Sequence, residues 1–320
     1  MKRALITGVY GQDGSYLCEV LHQDNYEIHG VCRNTLSETA KKNKKELEKE
    51  SICIAECHIS LYDYTTVSKT IREIRPDVIF HMAAIHRASS CLGNNNLLAE
   101  KELYEKNVLA TNNILTACYE ESPNTRVVSA GSCLVFDDCL VDVQDECIPF
   151  SSQSMYGIAK IAENNLVRLY RKKGLFACTP ILYNHESHRR SPDFVTKKIV
   201  NSLKEIKEGK RDYLELGDIS VKKDWGFAGD YAMAMKLICE ASDPQDYIIA
   251  TGELHSIEEY ISLCAKELQM NDWRKYLKMN DRLITRRVSN NLCGNSQKCV
   301  NELGWKRSID FMGLVKEMIR

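Results

Sequence analysis

The chain of 320 residues lacks any apolar run that reaches the roughly 18 residues a membrane span needs. It also lacks an excess of either charge. Lys and Arg total 43 against 44 Asp and Glu, a formal net charge of −1. That balance removes the overall field that would draw the protein to nucleic acid or an acidic membrane, so its basic residues must be read locally. No C-x-x-C pair occurs, and no Cys/His cluster has zinc spacing. Cys53 and Cys57 are four apart with His58 adjacent. Internal repeats and low-complexity stretches are absent too. The opening MKRALITG runs straight into a strand and a glycine turn rather than a signal peptide, so a cytoplasmic protein is expected.

What is present is cysteine, 14 in all. Cys18, Cys32, Cys53, Cys118, Cys178, Cys239 and Cys264 lie in or beside apolar runs, where a thiol behaves as a small hydrophobe. The expectation is a reduced protein with neither disulfide nor metal. A hydrophobic fraction of 44% and a charged fraction of 27% belong to an ordinary globular chain, long enough for one large domain or two.

Short apolar runs alternate with helical patterns through the first half. Strands are predicted at Ala4–Thr7, Glu27–Cys32, Ile52–Cys57, Val78–His81, Arg126–Ala130, Ala177–Tyr183 and Tyr247–Ala250. Helices are predicted at Ser15–Gln23, Tyr64–Ile74, Tyr104–Glu121 and Ser154–Lys172. The Lys- and Glu-rich Ser37–Glu50 reads as a solvated helix or loop. Strands apolar on both faces, alternating with helices, predict an α/β fold with a doubly wound parallel sheet of Rossmann type. Beyond about residue 183 the pattern turns basic and irregular, with a short strand at Tyr213–Leu216. The expected division is a dinucleotide-binding domain over 1–180, with a returning segment near 226–252, and a smaller substrate-binding region over 181–320.

The first strand ends at Thr7, and Gly8, Gly11 and Gly14 follow at G-x-x-G-x-x-G spacing into an amphipathic helix. Glycines let the backbone turn tightly and approach a pyrophosphate, which then sits on the helix N-terminus. After the second strand stand Arg33 and Asn34, where an NAD site usually has an acid for the ribose hydroxyls. A cation there suits a 2′-phosphate, so NADP(H) is expected in preference to NAD(H).

Tyr156 and Lys160 in SMYGIAK form a Y-x-x-x-K pair, one turn apart on one helix face. A phenol of pKa about 10 is a poor base at neutral pH, and bringing it to about 7 takes roughly 4 kcal/mol of help from a nearby cation. Ser132 stands 24 residues before Tyr156, at the end of the fifth strand, where its hydroxyl can bond the same reacting oxygen. Glycine turn, strand-end serine and Tyr/Lys helix together predict a hydride-transfer site.

Longer stretches make the chain resemble the GDP-mannose 4,6-dehydratase family of extended short-chain dehydrogenases/reductases. ALITGVYGQDGSYLCEVL is similar to that family's ALITG-x-x-GQDGSYLAE-x-L, and YNHESHRRSPDFVTKKI to FNHESPRRG-x-x-FVTRKI. LGDISVKKDWGFAGDY resembles LGN-x-x-AKRDWGHA-x-DY, and DYIIATGELHSIEEY resembles FVIATGE-x-HSV-x-E. The resemblance places Gly8, Gly11, Gln12, Asp13, Gly14, Arg33, Tyr156 and Lys160 at cofactor and redox positions, with Ser60, Leu61 and Ala83 on the cofactor side. It puts Ser132 where the family has its catalytic Thr or Ser. His185 and Arg190 fall near the nicotinamide and ribose. Asn184, Lys198 and Lys223 fall where the nucleotide-sugar diphosphate is held, and Glu186 and Leu216 are expected on the substrate side. The resemblance further implies a homodimer or homotetramer with a GDP-sugar substrate.

The departures matter as much. The family's dehydration base is a glutamate two residues after its Thr, and that position here is Leu134, which can neither take nor give a proton. Ser60 replaces an Asp beside the adenine, and the loop after the fourth strand reads AAIHRASS in place of AAQSHV. Lys223 replaces an arginine and loses its bidentate fork. RLITRRVSNNL replaces a diphosphate clamp, so Arg286 or Arg287 is expected to supply that charge. Three readings follow. The first is a GDP-mannose or GDP-heptose enzyme working at sugar C4 without dehydration, as 4-epimerase, 4-reductase or 4-oxidase. The second is a true 4,6-dehydratase whose base has moved to Cys133, His86, Asp137, Asp138 or Glu186. The third is a degenerate cofactor-binding protein.

Overall fold

A computed structural model describes residues 1–86, 97–284 and 291–320. The first half runs β1 (Arg3–Thr7), α1 (Gln12–Gln23), β2 (Glu27–Val31), α2 (Glu38–Lys49), β3 (Ile54–Cys57), α3 (Tyr64–Ile74), β4 (Val78–His81), α4 (Leu97–Glu121), β5 (Arg126–Ser129), β6 (Val143–Gln144) and α5 (Met155–Lys172). Then come β7 (Ala177–Cys178), β8 (Pro180–Leu182), β9 (Asn184–Glu186), α6 (Val195–Lys207), β10 (Leu214–Leu216), β11 (Lys222–Phe227), α7 (Ala228–Glu240) and β12 (Tyr247–Ile249). The chain closes with β13 (Leu254–Ser256), α8 (Ile257–Glu267), β14 (Leu277–Met279), β15 (Cys293–Gly294), α9 (Gln297–Leu303) and α10 (Phe311–Ile319).

Six strands form one parallel sheet in the order β3-β2-β1-β4-β5-β7. Ala4–Thr7 and Val78–His81 are buried throughout, as strands covered on both faces must be. This is the doubly wound α/β class expected from the sequence. The order reverses between β1 and β4, the place where such sheets open a crevice at the carboxyl ends of their strands.

Several boundaries differ from the sequence expectation for identifiable reasons. Helix α1 begins at Gln12, directly after the extended Gly11, and absorbs the turn residues that read as loop. Ser37 caps α2 by accepting from the Ala40 amide, so the Lys/Glu segment is helical, with Leu47 as its buried apolar anchor. The run 177–183 divides at Thr179. Its amide donates to Asp246, Pro180 has no N–H to give, and the chain passes from β5 as neighbour to β12.

Helix α7 returns to the sheet. Tyr231, Met235 and Ile238 share a core with Leu17 and Leu21 of α1, and Trp305 donates to Asp230 O at 2.9 Å from beyond α9. A second core gathers Ile199, Leu203, Leu216, Trp225, Tyr260, Ile261, Leu314 and Val315 from α6, β10, β11, α8 and α10. Between these cores, β9 lies parallel to β11, and β13 antiparallel to it. Among the described residues, no helix is long and apolar enough to cross a membrane.

Candidate active site

The site begins at the glycine turn. Gly8 sits at φ +71°, a left-handed conformation that favours glycine, and the Gly11 amide closes the turn on Gly8 O at 2.8 Å. A Cβ on Gly14 would run into Gly8 O and the backbone of Val9. Glycine at 14 therefore lets α1 lie against the turn. Gly11 caps α1 without a side-chain hydrogen bond, so the first amides of the helix keep their donors for a ligand. These residues fit a dinucleotide pyrophosphate.

Gln12 and Asp13 face the start of the second half. Gln12 Nε2 donates to His185 O at 3.0 Å, and Ser187 Oγ donates to Gln12 Oε1 at 2.9 Å. Asp13 Oδ1 meets His185 Nε2 at 3.0 Å, while His185 Nδ1 lies 2.7 Å from Tyr183 O. The His185 ring also stacks on Tyr231. Burial would raise Asp13, but His185 and Arg190 override it and hold the carboxyl down to about 2. Burial likewise opposes charge on His185, and Asp13 more than offsets this, raising it above the usual imidazole range. The pair is an ion pair joining the start of α1 to β9.

Arg33 is exposed just beyond β2, and Ser60 and Leu61 follow β3. Ala83 follows β4, where its amide donates to Thr7 Oγ1 at 3.0 Å and its Cα packs against Gly8. These positions ring the sheet's carboxyl edge. His58 turns toward Cys32 rather than Cys53. Cys32, Glu56 and His58 offer ligand atoms within 4.8 Å of one another, but Glu56 already accepts from Lys44 and Tyr10.

Ser132 follows β5 and starts a 3₁₀ turn, Cys133–Phe136, by accepting from the Leu134 amide at 3.2 Å. Helix α5 is locked onto this turn. The Ser151 amide donates to Val135 O at 2.8 Å, and Asp137 accepts from the Gln153 amide and from Ser154 Oγ. Ser154 in turn caps α5, accepting from the Gly157 amide at 3.2 Å. At Gly157, a Cβ would come inside contact distance of Ser152 Oγ and Leu134 O. The sequence reading missed Asp137 and Gly157 in this positioning role. The D at the end of the turn and the glycine after the tyrosine were its only signals.

Tyr156 and Lys160 occupy one face of α5, with Nζ 5.7 Å from the phenol ring centroid. Lys160 is 4% exposed and donates to Ala130 O at 2.8 Å. The His86 ring meets Tyr156 edge-on at 4.7 Å and stacks on Phe194, which lies under Arg190. Burial pushes the Tyr156 phenol above its usual value, against the pull of Lys160. Partial burial of the His86 ring against Tyr156 and Phe194, then Arg190 and Lys160, draw that imidazole down, although the residue as a whole is exposed.

Proton transfer by Cys133 beside Ser132 calls for a lowered thiol pKa, and its surroundings act the other way. It is 5% exposed, packs with Val135, Phe136, Ile181 and Tyr183, and burial pushes its thiol up to about 12. Glu186 is 3% exposed and already engaged, accepting from Thr196 at 2.7 Å and pairing with Arg190 at 3.3 Å. Asn184 and Lys223 lie on neighbouring strands, β9 and β11, and Lys198 donates to Glu215 O beside Leu216. Leu216 is buried in the second core. Arg286 and Arg287 lie outside the described residues.

Sheet, glycine turn and Tyr/Lys helix place the chain among the extended short-chain dehydrogenases/reductases. Solved structures share the fold at low identity. A dTDP-glucose 4,6-dehydratase from Bacillus anthracis, in complex with NAD, has a TM-score of 0.84 at 18% identity, covering 100% of this chain and 96% of that one. A UDP-glucuronic acid 4-epimerase from Bacillus cereus, in complex with UDP-glucuronic acid and NAD, has 0.81 at 20%, covering 99% and 98%. The chain belongs to the GDP-mannose 4,6 dehydratase family, whose model matches residues 5–318. It is 35% identical over 331 residues to GDP-mannose 4,6 dehydratase 2 of Arabidopsis thaliana, spanning 99% of this chain and 86% of that protein. Identity to the Drosophila melanogaster GDP-mannose 4,6 dehydratase is 31% over 343 residues, spanning 100% of this chain and 85% of that protein.

Proposed function

We propose that the chain is an NADP(H)-dependent enzyme that oxidises or reduces a GDP-sugar at C4 without net loss of water, as 4-epimerase, 4-reductase or 4-oxidase. The turn after β5 carries this reading. Ser132 is held against the Tyr156 helix, while the residues that follow it offer a buried thiol and hydrocarbon where the family resemblance calls for an acid. Tyr156 exchanges a proton with the C4 oxygen, Ser132 hydrogen-bonds that oxygen, and Lys160 keeps a cation beside the phenol. The nicotinamide, when bound, supplies the two-electron redox change at C4. Exposed Arg33 beyond β2 supports the 2′-phosphate of NADP over NAD. Lys198, Asn184 and Lys223 are the groups we assign to the sugar diphosphate. Leu109, Ile158 and Leu169, exposed on α4 and α5, support the pairing of copies as a dimer or tetramer.

The test is incubation with GDP-mannose and GDP-heptose in heavy water with NADP(H), followed by NMR. Change at C4 with no deuterium at C5 is expected. Deuterium at C5, or a 4-keto-6-deoxy product, overturns the reading.

One observation favours a second reading, a 4,6-dehydratase with a relocated base. The His86 ring meets Tyr156 edge-on at 4.7 Å, which puts an imidazole beside the phenol as a candidate base. In that case the 4-keto-6-deoxy product forms in the parent protein and disappears in His86→Phe, a variant that keeps a flat ring against Phe194.

A further inference from the structure

Helix α5 carries a third ionisable group on the face of Tyr156 and Lys160. Glu163 lies three residues beyond Lys160 and, like it, is 4% exposed. Its Oε2 accepts from Lys160 Nζ at 2.9 Å and from Thr111 Oγ1 of α4 at 3.0 Å. The other oxygen, Oε1, is buried with no hydrogen-bond partner among the described residues. A buried carboxylate with one bare oxygen is a poor way to stabilise a helix pair, because an apolar side chain of similar size often does as well or better. Its effect on its neighbour is the better reason for it. Two of the three N–H bonds of Lys160 are directed to Ala130 O and Glu163, which anchor the ammonium on the side of the helix away from solvent.

We propose that Glu163 is a positioning residue for the redox site: it anchors Lys160 and partly cancels its charge, and so sets the pH at which Tyr156 becomes phenolate. The proposal rests on Tyr156 being the proton-exchanging group of the site. Half-buried beside Lys160, the phenol responds to the sum of nearby charges. Lys160 alone would present it with a full positive charge, whereas Lys160 with Glu163 presents little more than a dipole. Among the described residues, the groups facing Tyr156 give the same picture. Arg190, before α6, is cationic and draws the phenol down, and His86, beyond β4, is neutral. Cys133 is a protonated thiol, and His81, facing Lys160 from β4, is held to about 3 and is neutral. Burial is the largest influence and raises the phenol. Lys160 lowers it, and Glu163 is the carboxylate that raises it again. A tyrosine kept protonated in this way is set to give a proton to a C4 carbonyl oxygen, the reductive direction of the reaction. Without Glu163, the phenolate would become the counter-ion of Lys160, and the two would titrate as a coupled pair.

The phenol can be read directly, with no substrate. Protein labelled with tyrosine carrying ¹³C at Cζ is titrated by NMR, and the Tyr156 signal is assigned by its loss in Tyr156→Phe. Glu163→Gln is expected to lower the Tyr156 midpoint by about one pH unit, a tenfold gain in phenolate at a given pH. Glu163→Asp is expected to keep the midpoint within a few tenths of the parent value. Glu163→Leu, whose apolar side chain suits the buried position, is expected to move it as Gln does. A folded Gln or Leu variant whose midpoint is unchanged or raised overturns the proposal. A protein that turns over no nucleotide sugar, yet shows the expected midpoints, would count against the functional reading alone.

Discussion

Asp137 Oδ2 accepts a 2.7 Å hydrogen bond from Ser154 Oγ, and so ties the turn that presents Ser132 to the cap of the helix that presents Tyr156. The first acid after Ser132 thus ties the turn to the helix. Its other oxygen takes the Gln153 amide at 2.9 Å. Replacing Asp137 by Ala leaves this junction with two unanswered donors. The expected cost is about 1–2 kcal/mol of stability. A fall in kcat on the order of tenfold, with cofactor affinity retained, is expected from the displaced phenol. Chemical denaturation and steady-state kinetics measure the two effects separately.

Gly157 lets α5 close on the same turn. An alanine there would press its methyl into Ser152 Oγ and Leu134 O, both held by the surrounding hydrogen-bond network. Gly157→Ala is expected to destabilise the protein by about 1–3 kcal/mol and to cut turnover further than Asp137→Ala does. Turnover at the parent level would show that the junction is softer than its packing indicates.

Cys133 gives the opposite expectation. Its thiol is buried and protonated, so Cys133→Ala removes packing and no chemistry. About 1–2 kcal/mol of stability is lost to the small cavity, and the pH–rate profile keeps both limbs where they were. A shift of either limb would return the thiol to the reaction.

The Asp13–His185 pair links stability to pH. The folded Asp13 value of about 2 lies below its unfolded one, so its contribution is complete above the ordinary carboxylate range and is lost as pH falls through about 4 toward 2. The folded His185 value is raised, so its contribution is complete below about 6.5 and is lost as pH rises through the folded value. The two windows overlap between about pH 4 and 6.5, where the pair contributes on the order of 2 kcal/mol. Asp13→Asn is therefore expected to lower Tm most near pH 5–6 and least near pH 9. A Tm difference constant across that range would remove the ion pair from the account.

The sheet strands were legible because each is a short apolar run closed by turn residues, and a strand buried on both faces has no other pattern to show. The glycine turn was legible for a related reason, since only glycine answers its steric demands at 8 and 14. Other features lay outside local reading. The break at Thr179 depends on Asp246, a carboxylate 67 residues away, taking its amide. The fate of Cys133 depends on Ile181 and Tyr183 closing over it. Leu134 is the reverse case. The structure shows its backbone oxygen beside Gly157 and its side chain against the cluster of Cys133, Val135 and Phe136, and only the family resemblance leads one to expect an acid there.

Gln12 belongs to the turn that fits a pyrophosphate, and both ends of its amide are bound to the segment 185–187, next to Asn184. Whatever orders the turn therefore orders β9, and whatever orders β9 orders the turn. Coupling of that kind is reciprocal: the factor by which cofactor tightens substrate is the factor by which substrate tightens cofactor. Cofactor and substrate bound as proposed would share one free-energy cycle, its halves joined by the Gln12 amide and the Asp13–His185 pair.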